Sequence, residues 1–379
     1  MSILLNLLGP RRDFEGGLFL TEHKTLTARR PIETLRASQP LHVPLRVRAD
    51  LTTEMIVKVG DRVLRGQPLS RPMDEVAVGV FAPTSGRVVG VKDVWTALDG
   101  ELPGVILEPD GKDQSIPREQ SWQSDGLLTQ LADRGVVCPK PRMSAHALIR
   151  KAASIGVSTL IVNGMETEPY LAADLRTMVE TPGRLIDATC ELADGLGVGN
   201  TIFALPFRHR RVVRRIEGEA RARHIDVAAL SNKYPQCHPI VLIKMLLDEE
   251  LAPGQDPLDA GILVLPMALI RGVADALLDD RPTTHAVLTV SGDAVQRPGV
   301  YRVCIGTTIA ELAEHVGLVG PVRSLIWGGP FTGVSLTRID TVVTSDAQAV
   351  LLFKDDPELT PIACVNCGWC VEDCPVGLN

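Results

Sequence analysis

The last sixteen residues contain Cys364-Val-Asn-Cys367-Gly-Trp-Cys370-Val-Glu-Asp-Cys374-Pro375, a C-x₂-C-x₂-C-x₃-C-P run that limits local folding more tightly than any other feature. Thiolates separated by two residues on a tight turn reach the irons of one cubane, and a fourth cysteine followed by proline is turned toward a second cluster where one exists. The run therefore marks a 4Fe-4S site with Cys364, Cys367, Cys370 and Cys374 as ligands, and electron transfer as its chemistry. Zinc is the alternative, but a zinc ribbon or finger needs its second ligand pair well separated from the first. A disulfide framework fits less well, because eight cysteines with half of them in one cluster motif suit a reducing compartment. The sequence ends four residues after Pro375 without a second run. Either Cys374 closes the single cluster after local rearrangement, or the sequence belongs to a longer two-cluster protein.

A chain of 379 residues predicts two to three domains. Apolar content of 45%, aromatic content of 4% and a positive mean hydropathy describe an α/β protein rich in Val, Leu, Ala and Ile. A net charge of −7 argues against nucleic acid as a partner. The start, Met1-Ser-Ile-Leu-Leu-Asn-Leu-Leu before Gly9-Pro10-Arg11-Arg12, lacks the charged-then-apolar order of a secretion signal and reads as cytoplasmic. The longest apolar stretch, Gly261 to Leu278, is interrupted by Pro266, Arg271 and Asp275, so no transmembrane segment is expected.

Short alternating strands with glycine turns from Leu41 to Val91 predict a hammerhead β-sandwich, a barrel-sandwich hybrid, within residues 1–108. Carriers of biotinyl or lipoyl groups need a lysine at the hairpin tip, and Pro72-Met73-Asp74 stands there instead, so the module is structural. Residues 109–127 read as a polar linker. Residues 128–284 alternate strands and helices, predicting a Rossmann-like α/β domain with a mostly parallel sheet. Residues 285–358 predict a β-grasp-like module and return strand, and 359–379 form the C-terminal ferredoxin-type iron–sulfur segment. The fold class is α/β multidomain.

Several segments carry a resemblance: Phe14-Glu-Gly16-Gly17 with His23-Lys24 and Pro31-Ile32, Gly60-Asp61 to Gln67, Asn163-Gly-Met-Glu166-Thr-Glu168-Pro169-Tyr170, Lys233-Tyr234-Pro235-Gln236, Ser291-Gly292-Asp293-Ala294-Val295 and Gly328-Gly329-Pro330. With the cysteine run they cover nearly the whole chain. Their order resembles the C-subunit family of Rnf-type ion-translocating electron-transport complexes, which is related to the NADH-binding flavin subunit of respiratory complex I. The resemblance implies a peripheral protein on the cytoplasmic face of the inner membrane, one component of an oxidoreductase (translocase), partnered by membrane and cytoplasmic subunits. It implies electrons exchanged with a soluble donor, NADH or ferredoxin, through flavin and two cubane clusters, coupled to Na⁺ or H⁺ movement. It also implies that Glu166, Glu168 and Tyr170 bind the flavin or nucleotide, the carboxylates lying where open α/β sheets place ligands; a plain solvated turn is the alternative.

Three departures fall on the nucleotide site. The family's long glycine run would bring backbone N–H groups against phosphate, whereas this chain reads Arg134-Gly135-Val136-Val137-Cys138-Pro139-Lys140-Pro141. A Gly-Gly-Glu turn is replaced by Cys237-His238-Pro239, and an acidic, amide-bearing loop by Pro206-Phe207-Arg208-His209-Arg210-Arg211. Together they argue against NADH binding by this chain and leave FMN open. The expected function is a redox subunit; the alternatives are a degenerate, non-catalytic docking or assembly paralogue, and a soluble cobalamin-reductase-like flavoprotein.

The basic run Arg208, Arg210, Arg211, Arg214 and Arg215 reads as a solvated helix face balanced by Glu217 and Glu219, with a phosphate site or an acidic partner as the alternative. Cys237-His238 reads as a surface turn, and Cys138, Cys190 and Cys304 as small buried hydrophobes. Trp369 is expected to cover the cluster and limit water.

Overall fold

The structure, a computed structural model, describes residues 14–117, 126–355 and 363–378. The N-terminal apolar stretch, the middle of the expected linker and the start of the expected cluster segment lie outside the described residues.

After β1 (Glu33–Thr34), which pairs with the third module, the first module comprises β2 (Leu41–Pro44), β3 (Thr53–Met55), β4 (Arg62–Val63), β5 (Ser70–Pro72), β6 (Gly86–Thr96) and β7 (Gly100–Pro109). Its main sheet has the order β2-β7-β6-β4, all antiparallel, and β3 pairs with β5 beside it. Alternation along β6 buries Gly86 and Val88 and exposes Arg87 and Val89, then shifts phase at a bulge between Val88 and Gly90. Leu41, Val43, Val63, Leu69, Val88, Val105 and Leu107 fill the interior. The predicted linker begins too early. Residues 110–117 fold back on the sandwich: Ser85 Oγ donates to Asp110 at 2.7 Å, Arg65 N–H to Gln114 O at 2.8 Å, and Ile116 N–H to Arg65 O at 3.0 Å. Polar composition suggested a tether, but each of these polar groups finds a partner on the barrel.

The second module runs α1 (Leu127–Asp133), β8 (Val137–Cys138), β9 (Met143–Ser144), α2 (Ala145–Ile155), β10 (Thr159–Asn163), α3 (Ala173–Glu180), α4 (Pro182–Leu196), β11 (Asn200–Pro206), α5 (Arg210–Ala220), β12 (Asp226–Leu230), α6 (Pro239–Leu247), β13 (Ile262–Pro266) and α7 (Met267–Leu277). Four parallel strands stand in the order β12-β11-β10-β13. The strand Thr-Leu-Ile-Val-Asn is apolar on both faces because both are covered. Leu160 and Val162 join a core with α1, α2, α4, α5 and α7, while Ile161 joins another with α6. In chain order the strands are third, second, first, fourth, so the order reverses between β10 and β13. The carboxyl ends of those two strands are where such sheets bind ligands.

The third module holds β14 (His285–Ser291), β15 (Gly299–Cys304), α8 (Ile309–Val316), β16 (Ser324–Trp327), β17 (Val334–Ser335) and β18 (Ala349–Phe353). Its mixed sheet is ordered β1-β15-β14-β18-β16-β17, with β14 antiparallel to β15 and parallel to β18. Thr308 caps α8 by accepting the Glu311 N–H at 3.2 Å. A short helix, α9 (Trp369–Glu372), lies within the cysteine run.

Arg142 joins the three modules. Its guanidinium donates to Asp346 at 2.6 Å, to Asp99 at 2.5 Å and to Val47 O at 3.1 Å.

Candidate functional site

The switch point between β10 and β13 opens into a cavity of about 110 Å³ lined by Lys140, Asn163, Glu166, Glu168, Asp174, Cys237 and Pro266, among others. The strands end in a glycine turn for a packing reason: a Cβ on Gly164 would lie 2.9 Å from Met178 Sδ and 3.0 Å from Ala204 O. Asn163 then organises the turn, accepting the Met165 N–H at 3.0 Å and donating to Cys237 O at 2.8 Å. That second bond draws the loop after β12 over the crevice.

Glu166 caps α3. Its carboxylate accepts the N–H groups of Asp174 at 3.2 Å and Leu175 at 3.3 Å, the unpaired donors of a helix start. Its backbone carbonyl accepts from Lys24 Nζ. Burial, with Asp174 beside it, pushes the Glu166 carboxyl up to about 7 against the opposing pull of Lys24. Asp174 is pushed up as well, again by burial.

Glu168 serves a different contact. It is 6% exposed, and its carboxylate accepts the Phe331 N–H at 2.9 Å, the Thr332 N–H at 3.2 Å and the Thr332 hydroxyl at 2.5 Å. Lys140 Nζ donates to the same Thr332 oxygen at 3.0 Å. The Gly328-Gly329-Pro330 turn permits this approach, since a Cβ on Gly329 would stand 2.0 Å from Glu168 Oε2. Glu166 and Glu168 are thus not a plain solvated turn: one caps a helix, and the other clamps the third module onto the second. Tyr170 does not line this crevice. Its ring stacks on His23 at 4.9 Å and meets Phe353 edge-on at 5.2 Å.

A strap formed by residues 14–29 crosses the same end of the sheet. Gly17 N–H donates to Asp373 O at 2.6 Å, and Leu18 and Tyr234 exchange backbone hydrogen bonds, each 2.8 Å. Tyr170 N–H donates to Glu22 O at 2.8 Å, and Lys233 Nζ to Phe14 O at 2.7 Å. The strap therefore links the crevice, the loop after β12 and the cysteine run.

Cys364, Cys367 and Cys370 are exposed and Cys374 is half-buried. Among the described residues no group of three or more His, Cys, Asp or Glu side chains is arranged to hold a metal ion, so the four thiols do not converge. The donor set nevertheless suits iron. Cys364 Sγ accepts the Asn366 N–H at 3.4 Å and Cys374 Sγ the Leu378 N–H at 3.3 Å. N–H donors at Leu378, Val376 and Gly377 hold the Cys374 thiol below its ordinary range, favouring the thiolate that binds iron. Trp369, expected to cover the cluster, is 72% exposed at the start of the short α9.

Cys237 is also corrected: it lines the crevice, where burial pushes its thiol up. Sequence reading missed Lys140 and Thr332, whose only signal was the glycine turn preceding Thr332. It also missed the pairing of Cys304 with His285, whose Nε2 lies 3.4 Å from Cys304 Sγ. Burial pushes that thiol up to about 12 and the imidazole down to about 3, leaving a neutral, inert pair.

Residues 12–112 match the family model described as the RnfC barrel sandwich hybrid domain, and residues 143–274 that of the Nuo51 FMN-binding domain. The chain is 28% identical over 379 residues to the C subunit of the proton-translocating ferredoxin:NAD(+) oxidoreductase complex of Clostridium ljungdahlii, covering 97% of this chain and 83% of that one. It is 29% identical over 391 residues to the C subunit of the ion-translocating oxidoreductase complex of Rhodobacter capsulatus, covering 99% and 75%. Its counterpart in Pectobacterium carotovorum is 28% identical, with 97% and 50% covered. A crystal structure of NAD⁺-reducing [NiFe]-hydrogenase shares the fold over 60% of this chain and 46% of that one, with a TM-score of 0.52 and 18% identity.

The residues present do not fit a flavin in the switch-point crevice. Small-molecule sites measure roughly 300–1,000 Å³, against about 110 Å³ here, and Lys140, Glu168 and Thr332 close on one another across that edge. The domain succession and the relatives nonetheless agree over almost the whole chain: it belongs to the C-subunit family of Rnf-type ion-translocating oxidoreductases.

Proposed function

We propose that this chain is the electron-transferring C subunit of an Rnf-type complex, passing electrons between a soluble donor or acceptor and membrane subunits through a 4Fe-4S cluster on Cys364, Cys367, Cys370 and Cys374. The observation that carries this reading is the hydrogen bond from Gly17 to Asp373, which pins the cysteine run to the strap over the ligand end of the sheet. A cubane cluster, when bound, accepts and returns single electrons. The chain's own residues set position and thiolate character: N–H groups at Asn366 and Leu378 donate to two of the sulfurs. Glu166, Glu168 and Tyr170 act as positioning residues, and no step is assigned to flavin or NADH.

The reading includes a β-grasp-like module over 285–358, supported by the hairpin of β14 and β15, the helix α8 and the parallel β14–β18 pair. It places the protein peripherally on the cytoplasmic face of the inner membrane, held there by partner subunits and exchanging electrons with ferredoxin or NADH at the level of the complex.

A second reading, a docking paralogue without redox chemistry, is favoured by the closed crevice. Anaerobic purification followed by iron and sulfide assay and low-temperature EPR separates the two. The redox reading expects about four irons per chain and their loss in Cys367→Ser. A featureless visible spectrum with under about one iron per chain overturns it and leaves the docking reading.

A further inference from the structure

The chain itself closes the switch point. The turn 328–333 reaches it from the third module, tied at its base by Gly328 N–H to Ala349 O and drawn tight by Gly333 N–H to Gly329 O, each 2.8 Å. Two N–H groups and a hydroxyl of this turn donate to Glu168, and Lys140, a cation on the crevice wall, is spent on the same Thr332 oxygen. The Tyr234 ring packs on Phe331 of the turn at 4.9 Å, so that ring is engaged as well. Behind these contacts about 110 Å³ remains, room for a few ordered waters.

The three loops that depart from the family pattern use their backbone donors within the chain. In the first, the N–H groups of Arg134, Gly135 and Val136 donate to the carbonyls of Gln130, Ala132 and Leu131 at 3.0–3.1 Å. Val137 and Cys138 pair with Ser144 and Met143, and Pro139 and Pro141 have no N–H to give. The first N–H of α2, that of Ala145, donates to Val136 O at 2.8 Å. After β11, the N–H groups of Phe207 and His209 donate to Leu230 O at 2.8 Å and Pro206 O at 3.0 Å, and that of Arg208 to Asn232 Oδ1 at 3.2 Å. After β12, Gln236 and His238 donate to the carbonyls of Lys233 and Pro235, each at 2.8 Å, and Pro239 has no N–H. A phosphate cradle needs N–H groups that converge on the ligand, and here those donors face the chain's own oxygens.

We propose that the turn 328–333 is the resident occupant of the switch point and has replaced a flavin there, so that this chain carries no FMN and accepts no hydride from NADH. A buried carboxylate needs donors, and the turn supplies the three that Glu168 uses, so the ligand end of the sheet is satisfied without a cofactor. Gly329 admits the turn, because any side chain there would meet Glu168. The site is separate from the cysteine run, and the proposal stands whether or not the chain carries a cluster.

Two measurements on the full chain test it. Acid-released flavin is assayed by fluorescence after purification, and Tm is followed with FMN or NADH added at millimolar concentration, since a ligand well above its Kd raises Tm. No stoichiometric flavin and no rise in Tm are expected. Hydrogen exchange then reads the turn: the Phe331 and Thr332 amides are expected to be protected like those of β16 and unaltered by FMN. In Glu168→Gln, whose circular dichroism should match the parent, they are expected to exchange about tenfold faster, again without flavin binding. Stoichiometric flavin in the parent, a rise in its Tm with FMN or NADH, or exchange of these two amides at the rate of an open loop overturns the proposal. Flavin binding gained by Glu168→Gln also overturns it, making the turn a lid over a working cradle.

Discussion

Thr332 donates its hydroxyl to the buried Glu168 carboxylate at 2.5 Å, and the backbone N–H groups of Phe331 and Thr332 complete the contact at 2.9 and 3.2 Å. A glutamate from the parallel sheet thereby holds the glycine turn of the neighbouring mixed sheet. The contact closes the edge of the crevice where a ligand of this fold class would lie.

Removing that carboxylate leaves buried N–H donors without an acceptor. Glu168→Ala is expected to destabilise the protein by about 3 kcal/mol in urea unfolding, and Glu168→Gln by about half as much. Gly329→Ala should be comparably damaging in the parent and milder in the Glu168→Ala background, because its Cβ meets Glu168 Oε2. Additive effects would contradict the clamp.

Glu166 makes stability depend on pH. Its folded carboxyl is raised to about 7 from the ordinary value of 4.5, so between those values the folded state binds more protons than the unfolded one, and stability falls as pH rises. Asp174 is raised as well and acts in the same direction. Unfolding at pH 5 and pH 8 should show a loss of about 1–3 kcal/mol in the parent. Glu166→Gln should flatten most of that slope.

Arg142 spans Asp99 on the first module and Asp346 on the third, where the Asp346 side chain is only 2% exposed. Arg142→Met should cost about 3–5 kcal/mol, because it strands a buried carboxylate. Adding Asp346→Asn should recover part of the loss, readable as a rise in Tm over the single variant.

Gly16 and Gly17 adopt φ of 69° and 74°. A Cβ on Gly16 would meet Asp373 O at 2.8 Å, and one on Gly17 would meet Tyr234 O at 2.7 Å. Gly17→Ala is expected to release the cysteine run, seen as faster hydrogen exchange over 363–378 with little change in the barrel. Unchanged exchange there would remove the role assigned to the strap.

Much of the fold was legible because its signals are local. The apolar run of β10, the hairpin of β14 and β15 and the cysteine spacing each report on a few neighbouring residues, where periodicity and turn chemistry act. The linker was misread for a related reason: polar composition cannot tell a free tether from one whose groups are satisfied on a barrel.

By itself the sequence determined the family, the strand and helix succession and the four thiols, all carried by short-range spacing. Only the tertiary structure decided what Glu166, Glu168 and Cys237 do, because each acts on an element distant in sequence or on a crevice formed by several of them. It also decided that Lys140 and Thr332 close the ligand end of the sheet, and that the arginines after β11 face a strap nearly two hundred residues earlier. A side chain's charge is written in its identity, but its burial and its partner depend on which distant segment folds against it.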